Sequence, residues 1–441
     1  MAEGNASVGR ASADEVRRKH DEYLLPATLT YYSSPLVPEE GRGARVRDAE
    51  GREYLDFFAG ILTVSLGHGH PRVTAAVREQ AERLMHISSL YPTRGVVELA
   101  ERLARIAPGR LSRTCFVASG TEANETAVML AQVATGRTEI IALRHGYSGR
   151  SLLARDLTGH APWRPTPSQV AAIKHAPAPY CYRCPLGKTF PSCDLACADD
   201  VAEVIRTQTT GGIAAFLAEP VAGVGGVIVP PPGYFERVVE IVRGANGLFI
   251  CDEVQAGFGR TGKMFAIQHF DVEPDIMCMA KGIANGMPLG ATIATPEVAA
   301  SLKSLTISTF GGNPLSVAAA AVVIDVMEEE DVCANARSRG ERLMEGLRRL
   351  QREHPRLIGD VRGLGLMVGV ELVMDESGGD RTPNPAAAGA LLDAARDRGL
   401  LVGKGGLHGN VIRIGPPLTI DDAEVDEALR ILSDVFSLID S

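Results

Sequence analysis

The run Ile276-Met277-Cys278-Met279-Ala280-Lys281-Gly282 decides how this chain folds and where its chemistry lies. Five apolar residues in succession are typical of a strand that is buried on both faces of a parallel sheet. Lys281 follows this run directly and so lies at the edge of apolar surroundings, which disfavour the charged ammonium form of a lysine. The pKa of the lysine therefore falls, and its free amine can attack a carbonyl. Lys281 is therefore a candidate Schiff-base lysine, although a surface lysine that simply ends a buried strand is the plainer alternative.

Similar apolar runs recur through the middle of the chain, and helical patterns separate them. The predicted strands are residues 114–117, 140–143, 214–218, 248–251, 276–280 and 290–294. This alternation predicts an α/β fold with a mostly parallel sheet that helices cover on both faces. Ligands of such sheets bind outside the carboxyl ends of the strands. Ser119, Glu219, Asp252 and Lys281 all fall at those ends, so we expect one crevice to gather them.

The two ends of the chain predict a second, smaller α+β unit. Strand patterns with glycine turns occupy residues 29–57, as in an antiparallel hairpin. After residue 314 the chain predicts helices at 314–327, 333–353, 387–398 and 420–438 and strands at 366–372 and 411–414. We therefore expect an N-terminal segment, 1–65, that joins the small domain, a large domain over 66–314 and a C-terminal small domain over 315–441.

Composition and charge exclude several classes of partner. The chain has 441 residues, 45% of them hydrophobic and 22% charged, with a net charge of −9. An acidic chain has no basic surface for nucleic acid, and no apolar run is long enough to predict a membrane span. Residues 1–14 lack the apolar segment of a secretory signal and predict a disordered lead-in. Several of the eight cysteines lie in apolar runs, which indicates a reducing cytoplasm.

Two motifs at strand ends carry candidate binding chemistry. Ser119, Gly120 and Thr121 stand between a strand and a helix, where first-turn amides and the helix dipole favour an anion such as phosphate. An ordinary capped helix start is the alternative. Asp252 ends a buried strand, and a buried carboxylate is costly unless it finds a cation. A protonated ring nitrogen and an arginine are both candidate partners for it.

Two other motifs have different interpretations. Residues 257–262 read Gly-Phe-Gly-Arg-Thr-Gly, but no helix pattern opens after them, so they are not a dinucleotide fingerprint. A CxxC…CxxxC set contains four cysteines: Cys181, Cys184, Cys193 and Cys197. That spacing suits a structural zinc ion, a local disulfide or a loop of reduced thiols, and these three alternatives stay open. We expect no metal in the crevice itself.

Together these motifs resemble the class III, pyridoxal-phosphate-dependent aminotransferases, which have the aspartate aminotransferase-like fold, fold type I. The resemblance extends from about residue 26 to 437. It rests on the order and spacing of seven motifs, at residues 54–61, 119–125, 218–221, 252–262, 281–282, 309–314 and 360–366. The nearest branch handles ω-amino acids with pyruvate, or transfers between alanine and glyoxylate, and the 4-aminobutyrate branch is close to it.

The resemblance implies a set of positions that bind pyridoxal 5′-phosphate. Lys281 resembles the Schiff-base lysine and Asp252 the partner of the pyridine nitrogen, which together would be the catalytic residues. The other implied contacts are Gly120 and Thr121 with the phosphate, Tyr147 and Val254 with the two ring faces, Gln255 with the phenolic oxygen, and Thr309 with the phosphate of the partner subunit. The last of these implies a homodimer with active sites at the subunit interface.

Two further positions match substrate-binding residues of the family. Arg413 resembles the arginine that binds a substrate carboxylate bidentately, and Glu219 the acid that can pair with it when the carboxylate is absent. The sequence departs from the family at Ser148, where a histidine is often found, and many members lack the segment with the four cysteines.

The activity that the resemblance implies is ping-pong transfer of an amino group from an amino acid to a 2-oxo acid. Implied donors are β-alanine, 3-aminoisobutyrate, 4-aminobutyrate or an α-amino acid, and implied acceptors are pyruvate, glyoxylate or 2-oxoglutarate. A racemase, a decarboxylase or an amino-alcohol phosphate lyase of the same fold is an alternative, and a non-catalytic regulator is another. Arg413 and Glu219 favour a pair of carboxylate-bearing substrates, hence transamination.

Overall fold

The structure is a computed structural model that describes residues 11–440. Its strands are β1 (Pro38–Arg42), β2 (Arg45–Asp48), β3 (Glu53–Asp56), β4 (Arg113–Val117), β5 (Ile140–Leu143), β6 (Ile173–Ala176), β7 (Ala215–Ala218), β8 (Leu248–Asp252), β9 (Ile276–Met279), β10 (Gly290–Ala294), β11 (Ile358–Leu364), β12 (Met367–Asp375), β13 (Asp380–Pro383), β14 (Leu400–Leu401), β15 (Gly403–Gly405) and β16 (Val411–Ile414).

Helices cover these strands. They are α1 (Ala13–Tyr23), α2 (Ala59–Leu62), α3 (Pro71–Arg83), α4 (Arg94–Ile106), α5 (Gly120–Thr135), α6 (Leu152–Leu157), α7 (Ala196–Gln208), α8 (Tyr234–Gly244), α9 (Pro296–Ser301), α10 (Pro314–Glu329), α11 (Val332–Glu353), α12 (Pro385–Asp397) and α13 (Asp422–Ile439), with short 3₁₀ turns at Ala161–Trp163, Ala266–His269 and Lys281–Ala284. No helix within residues 11–440 is long and apolar enough to cross a membrane.

A seven-stranded sheet forms the centre of the large unit. Its strand order is β4-β10-β9-β8-β7-β5-β6. The five neighbouring strands β9, β8, β7, β5 and β6 are parallel to one another. Strand β10 runs antiparallel to both β9 and β4. Six strands therefore share one direction, and their carboxyl ends lie at the same edge. The predicted α/β class with a mostly parallel sheet is confirmed.

The continuous apolar pattern of the central strands follows from burial on both faces. Along β9, Met277 and Met279 belong to one hydrophobic cluster, while Ile276 and Cys278 belong to another. All four side chains are fully buried. The second cluster includes the alanine-rich face of α5, which packs on β9 and β10.

Two smaller sheets complete the fold. The first is antiparallel, in the order β11-β12-β16-β15 with β13 beside β12. The second has the order β1-β2-β3-β14, and its last pair is parallel, with Leu55 opposite Leu400. Strands from both ends of the chain thus share one sheet. The division at residues 65 and 314 stays a prediction.

The sequence-based predictions differ from the structure mainly at the edges. Strands β6 and β11 and helix α7 were not predicted, because their apolar residues are few or broken by polar ones. The prediction that residues 1–14 are disordered is wrong for the end of that segment. Helix α1 begins at Ala13, because the Ser12 side chain accepts a hydrogen bond from the Glu15 amide, 3.2 Å, and caps it. The rest of the lead-in, residues 1–10, lies outside the described residues.

Candidate active site

A cavity of about 320 Å³ opens at the carboxyl edge of the central sheet. Segments that follow β4, β7, β8 and β9 line it, so the predicted crevice is present. The lining residues are Thr63, Ala118, Ser119, Gly120, Thr121, Asn124, Tyr147, Gly149, Glu219, Asp252, Val254, Gln255, Ala280, Lys281, Gly286, Met287, Pro288 and Leu289. Of the predicted site residues, only Thr309 and Arg413 are outside this lining.

Lys281 stands two residues beyond the end of β9 and starts a single 3₁₀ turn. Its φ of +48° is in the left-handed region that non-glycine residues seldom adopt. Burial lowers the pKa of Lys281 to about 8; the charge of Asp252 opposes that shift and the charge of Arg413 adds to it. The fraction of Lys281 that is free amine near neutral pH is therefore larger than for an ordinary lysine, and the free amine is the state that attacks a carbonyl.

Asp252 is the last residue of β8 and is only 3% exposed. Its Oδ2 accepts a hydrogen bond from Asn124 Nδ2 at 2.7 Å, and its Oδ1 accepts one from the Val254 amide at 3.0 Å. Burial raises the pKa of Asp252, while these two donors and the Lys281 charge oppose the rise. Within residues 11–440 no basic side chain lies within 4 Å of this carboxylate, so the arginine pair considered above is absent.

Asn124 is a site residue that was missed from the sequence. Its Nδ2 group also donates to the Ser148 carbonyl at 2.9 Å, and the side chain is 1% exposed. It lies among Ala123, Ala127 and other small apolar residues on the buried face of α5. A single amide on an otherwise apolar helix face was the signal that could have identified it, because a buried polar group needs a partner.

The amino end of α5 faces the same cavity. Ser119 caps the helix, and its Oγ accepts from the Glu122 amide at 3.2 Å. Gly120 permits a close approach, since a Cβ there would lie 3.0 Å from Cγ1 of Val254. Thr121 Oγ1 accepts from the Arg150 amide at 3.3 Å. The amides of this first turn and the helix dipole make an anion site.

Glu219 follows β7 and is 8% exposed. Its Oε1 accepts from the Tyr147 amide at 3.0 Å and its Oε2 from the Gly223 amide at 2.8 Å. Burial, with a further contribution from the charge of Asp252, raises the pKa of Glu219 to about 7. The Tyr147 ring meets Trp163 edge-on, with 5.7 Å between ring centroids. Trp163 is the only tryptophan of the chain, and the sequence analysis did not select it.

Arg413 lies on β16 of the small antiparallel sheet and reaches the site through Gln255. Its Nη2 donates to Gln255 Oε1 at 2.6 Å, and its Cζ stands 5.3 Å from the centre of the Phe58 ring. Among the described residues no ion pair within 4 Å joins Arg413 to Glu219, whose two oxygens each accept a backbone amide.

Two sets of predicted residues lie away from the cavity. Thr309 is exposed, in the segment between α9 and α10. The four cysteines of the CxxC…CxxxC set line a small separate cavity and are free thiols. Among residues 11–440 no group of three or more His, Cys, Asp and Glu side chains is placed to hold a metal ion.

The family model described as aminotransferase class-III matches residues 29–436. The chain belongs to this family. An alanine–glyoxylate aminotransferase 2 homolog from Arabidopsis thaliana is 43% identical over 94% of this chain and 86% of its own. A leucine/methionine racemase from Thermococcus litoralis is 37% identical over 96% of each chain. The crystal structure of a PLP-bound amine transaminase from an uncultivated Pseudomonas species superposes with a TM-score of 0.88, at 34% identity over 95% of this chain and 98% of that one.

The predicted family, fold type, cofactor and reaction are thereby confirmed. This class III aminotransferase is a pyridoxal-phosphate-dependent transaminase, and its substrates are an amino donor and a 2-oxo acid acceptor. The cavity fits the cofactor. Its volume is that of a small-molecule site. The cavity is lined by an anion site, a buried carboxylate and a lysine with a lowered pKa.

Proposed function

We propose that this class III aminotransferase moves an amino group between an ω-amino acid and a 2-oxo acid, with Lys281 and Asp252 as its catalytic residues. β-Alanine, 3-aminoisobutyrate and 4-aminobutyrate are the proposed donors, or an α-amino acid. Pyruvate, glyoxylate and 2-oxoglutarate are the proposed acceptors. The observation that carries the proposal is that Asp252 ends β8, Lys281 follows the adjacent strand β9, and both line one cavity with the amino end of α5.

Six more residues would hold the cofactor, through their side chains or their backbone amides. The first turn of α5, at Gly120 and Thr121, would bind the phosphate, and Tyr147 and Val254 would contact the two faces of the ring. Gln255 would donate to the phenolic oxygen through its Nε2 group, since its Oε1 is engaged by Arg413. Thr309 of a second copy would add a phosphate contact. Bound pyridoxal phosphate supplies an electron sink for the electrons of the substrate's broken C–H bond.

The protein's own groups then carry the proton and orient the substrate. Asp252, held by Asn124 and the Val254 amide, would keep a proton on the pyridine nitrogen of the bound cofactor. Lys281 Nζ would take the proton from the carbon that bears the donor's amino group, as a base, and would then, as an acid, deliver it two bonds away to the cofactor carbon on the other side of that nitrogen. Its pKa of about 8 suits both roles near neutral pH. Arg413 binds the substrate carboxylate.

Two experiments test these roles. Borohydride reduction of the loaded enzyme should fix the cofactor on a single peptide that contains Lys281, as read by mass spectrometry. Lys281→Ala should lower turnover by about 10²–10⁴-fold. Full turnover by that variant would refute the assignment, and cofactor that cannot be trapped would favour a non-catalytic regulator.

A racemase is the second candidate, because the leucine/methionine racemase from Thermococcus litoralis is similar over nearly the whole chain. Incubation with an amino acid alone separates the two. A transaminase converts the cofactor stoichiometrically to its aminated form, which absorbance reports, and releases one equivalent of oxo acid. A racemase inverts the amino acid and accumulates neither product.

We also propose that the enzyme is a homodimer with active sites at the subunit interface. Large apolar side chains that are exposed in the single chain support this, including Met85, Leu90, Tyr91, Leu305 and Phe310. A cleft of about 890 Å³ lies beside them, between residues 87–97, α5 and residues 306–312. Sedimentation velocity should give twice the chain mass, and Thr309→Ala should weaken cofactor binding. A monomer with full activity would exclude the shared site.

We propose a cytoplasmic location for the enzyme, on the ground that its eight cysteines are free thiols. Cell fractionation with an activity assay tests this proposal. The division into residues 1–65, 66–314 and 315–441 is likewise proposed. It predicts that limited proteolysis cuts first near residue 314.

A further inference from the structure

Trp163 is a large apolar residue that stays partly exposed beside the cofactor cavity. It ends the 3₁₀ turn Ala161–Trp163 and is 41% exposed, although water disfavours contact with apolar surface of this size. Its ring meets that of Tyr147 with 5.7 Å between centroids and 77° between planes, an arrangement that aromatic pairs prefer. Tyr147 lines the cavity and Trp163 itself does not, so the indole contacts the site through Tyr147.

The backbone of Tyr147 is held by a hydrogen bond, but its ring is not. The Tyr147 amide donates to Glu219 Oε1 at 3.0 Å. Within residues 11–440 the Tyr147 hydroxyl has no hydrogen-bond partner, and Trp163 is the only ring in contact with the Tyr147 ring. A side chain without a hydrogen bond is oriented by packing alone. The contact with Trp163 therefore limits how the Tyr147 ring can turn.

The loop between α6 and β6, which contains this 3₁₀ turn, is fixed at its start. The Ser148 amide donates to Thr158 Oγ1 at 3.0 Å, and the His145 amide donates to the Gly159 carbonyl at 2.9 Å. These bonds join the loop to the chain on both sides of Tyr147. The segment that carries the phenol and the loop that carries the indole are thus held to each other through their backbones.

Asp156, on α6, closes the far end of the same loop. It is fully buried, and its Oδ2 accepts the amides of Gln169 and Val170 at 2.6 and 2.7 Å and the Ser168 hydroxyl at 3.1 Å. Burial acts to raise the pKa of Asp156, but the hydrogen bonds outweigh burial and the pKa is lowered. The charged carboxylate therefore holds the end of the loop against α6. A loop that is fixed at both ends keeps Trp163 in place although the indole is half-exposed.

We propose that Trp163 is a positioning residue for the cofactor and that it acts through Tyr147. The inference rests on the proposed contact between Tyr147 and one face of the cofactor ring. The indole keeps the phenol turned toward the cavity, which is the orientation in which Tyr147 meets that ring. Without the indole the phenol turns more freely, so the cofactor binds more weakly and its orientation is less uniform.

A double-mutant cycle tests whether Trp163 acts through Tyr147. Trp163→Leu keeps an apolar side chain without a ring, and Trp163→Phe keeps a smaller ring. In equilibrium dialysis Trp163→Leu should weaken the binding of pyridoxal phosphate by about 10-fold, and Trp163→Phe should weaken it less. The circular dichroism of the bound cofactor should fall in the same order.

The change Trp163→Leu made in Tyr147→Leu should weaken binding no further, because the ring on which the indole acts is already gone. Additive effects of the two changes would overturn the proposal. Tyr23→Ala is the control: it removes an aromatic residue that is 72% exposed on α1, and it should leave the affinity for the cofactor unchanged.

The second test uses the unaltered enzyme, so it does not depend on how the variants fold. Trp163 is the only tryptophan of the chain and is the source of its tryptophan fluorescence. Because coupling between two groups is reciprocal, pyridoxal phosphate added to the cofactor-free protein should make the indole less accessible to the quencher acrylamide. Unchanged accessibility would overturn the proposal.

The two tests also separate this inference from the proposed function. If no amino donor reacts but the cycle shows the expected coupling, the proposed function fails and the role of Trp163 stands. If donors react normally but the two changes are additive, the role of Trp163 fails alone.

Discussion

Asn124 Nδ2 donates a 2.7 Å hydrogen bond to Oδ2 of Asp252, and both side chains are almost completely buried. The amide gives the carboxylate a neutral partner, so Asp252 retains its charge for a ligand. This differs from an arginine–aspartate pair, in which the charge would already be cancelled. The bond also joins the first turns of α5 to the end of β8, two segments that line the cofactor cavity.

Asn124→Ala removes this donor and leaves a buried carboxylate with one partner fewer. We expect the loaded enzyme to bind its cofactor more weakly and the free energy of unfolding to fall by about 1–3 kcal/mol. Equilibrium dialysis of the cofactor and denaturant unfolding measure the two effects. Val133→Ala, at an exposed position of the same helix, is the control and should change neither quantity by much. Equal effects in both variants would contradict the role of Asn124.

The rate at which the cofactor-free enzyme reacts with pyridoxal phosphate should depend on the pKa of Lys281. Because burial lowers that pKa to about 8, the rate should rise with pH and reach half its maximum near pH 8. The Asp252 carboxylate raises the pKa, so Asp252→Asn should move the midpoint to lower pH. Stopped-flow absorbance measures both curves. A midpoint near the ordinary lysine value, or a shift to higher pH in the variant, would contradict this assignment.

Two buried acids predict how stability changes with pH. Glu253 is fully buried and accepts the amides of Ala266 and Ile267. Burial raises the pKa of Glu219 and of Glu253 to about 7. The folded chain therefore binds more protons than the unfolded chain between the unfolded value of 4.5 and pH 7.

By linkage, the contribution of these acids to stability is fully present below pH 4.5 and is lost as pH rises through 7. The slope of unfolding free energy against pH over this range should be less negative in Glu219→Gln than in the unaltered chain. Denaturant unfolding at several pH values measures it for the cofactor-free protein. An identical slope in the variant would show that Glu219 does not contribute to the pH dependence of the unfolding free energy.

Gly120→Ala tests the close approach at the amino end of α5. The added Cβ would stand 3.0 Å from Val254, so one of the two must shift and the ring site should narrow. We expect cofactor affinity to fall by about tenfold while the fold is retained. Gly389→Ala is a matched control on helix α12, where a Cβ meets no atom within 4 Å, and should slightly stabilise the protein. An unchanged affinity of Gly120→Ala for the cofactor would show that the contact between residue 120 and Val254 is not tight.

Buried strands, and the residues that follow them, could be predicted from the sequence. Strands such as β8 and β9 read as unbroken apolar runs because both sheet faces are covered, and their shared direction gathers Asp252 and Lys281 in one cavity. Hydrogen-bond partners could not be predicted. Whether Arg413 meets Glu219 or Gln255 depends on the turn at Gly223, and the partner of Asp252 depends on how α5 packs against β8.

The pairing of β3 with β14 has a consequence for how the chain is made. Leu55 emerges from the ribosome long before its partner Leu400, which lies 345 residues later in the chain. Until then β3 has one open edge, while the central sheet, whose strands all lie between residues 113 and 294, already has every partner it needs. We therefore expect the central sheet to form during translation, and β3 to gain its second neighbour only after β14 has been synthesised.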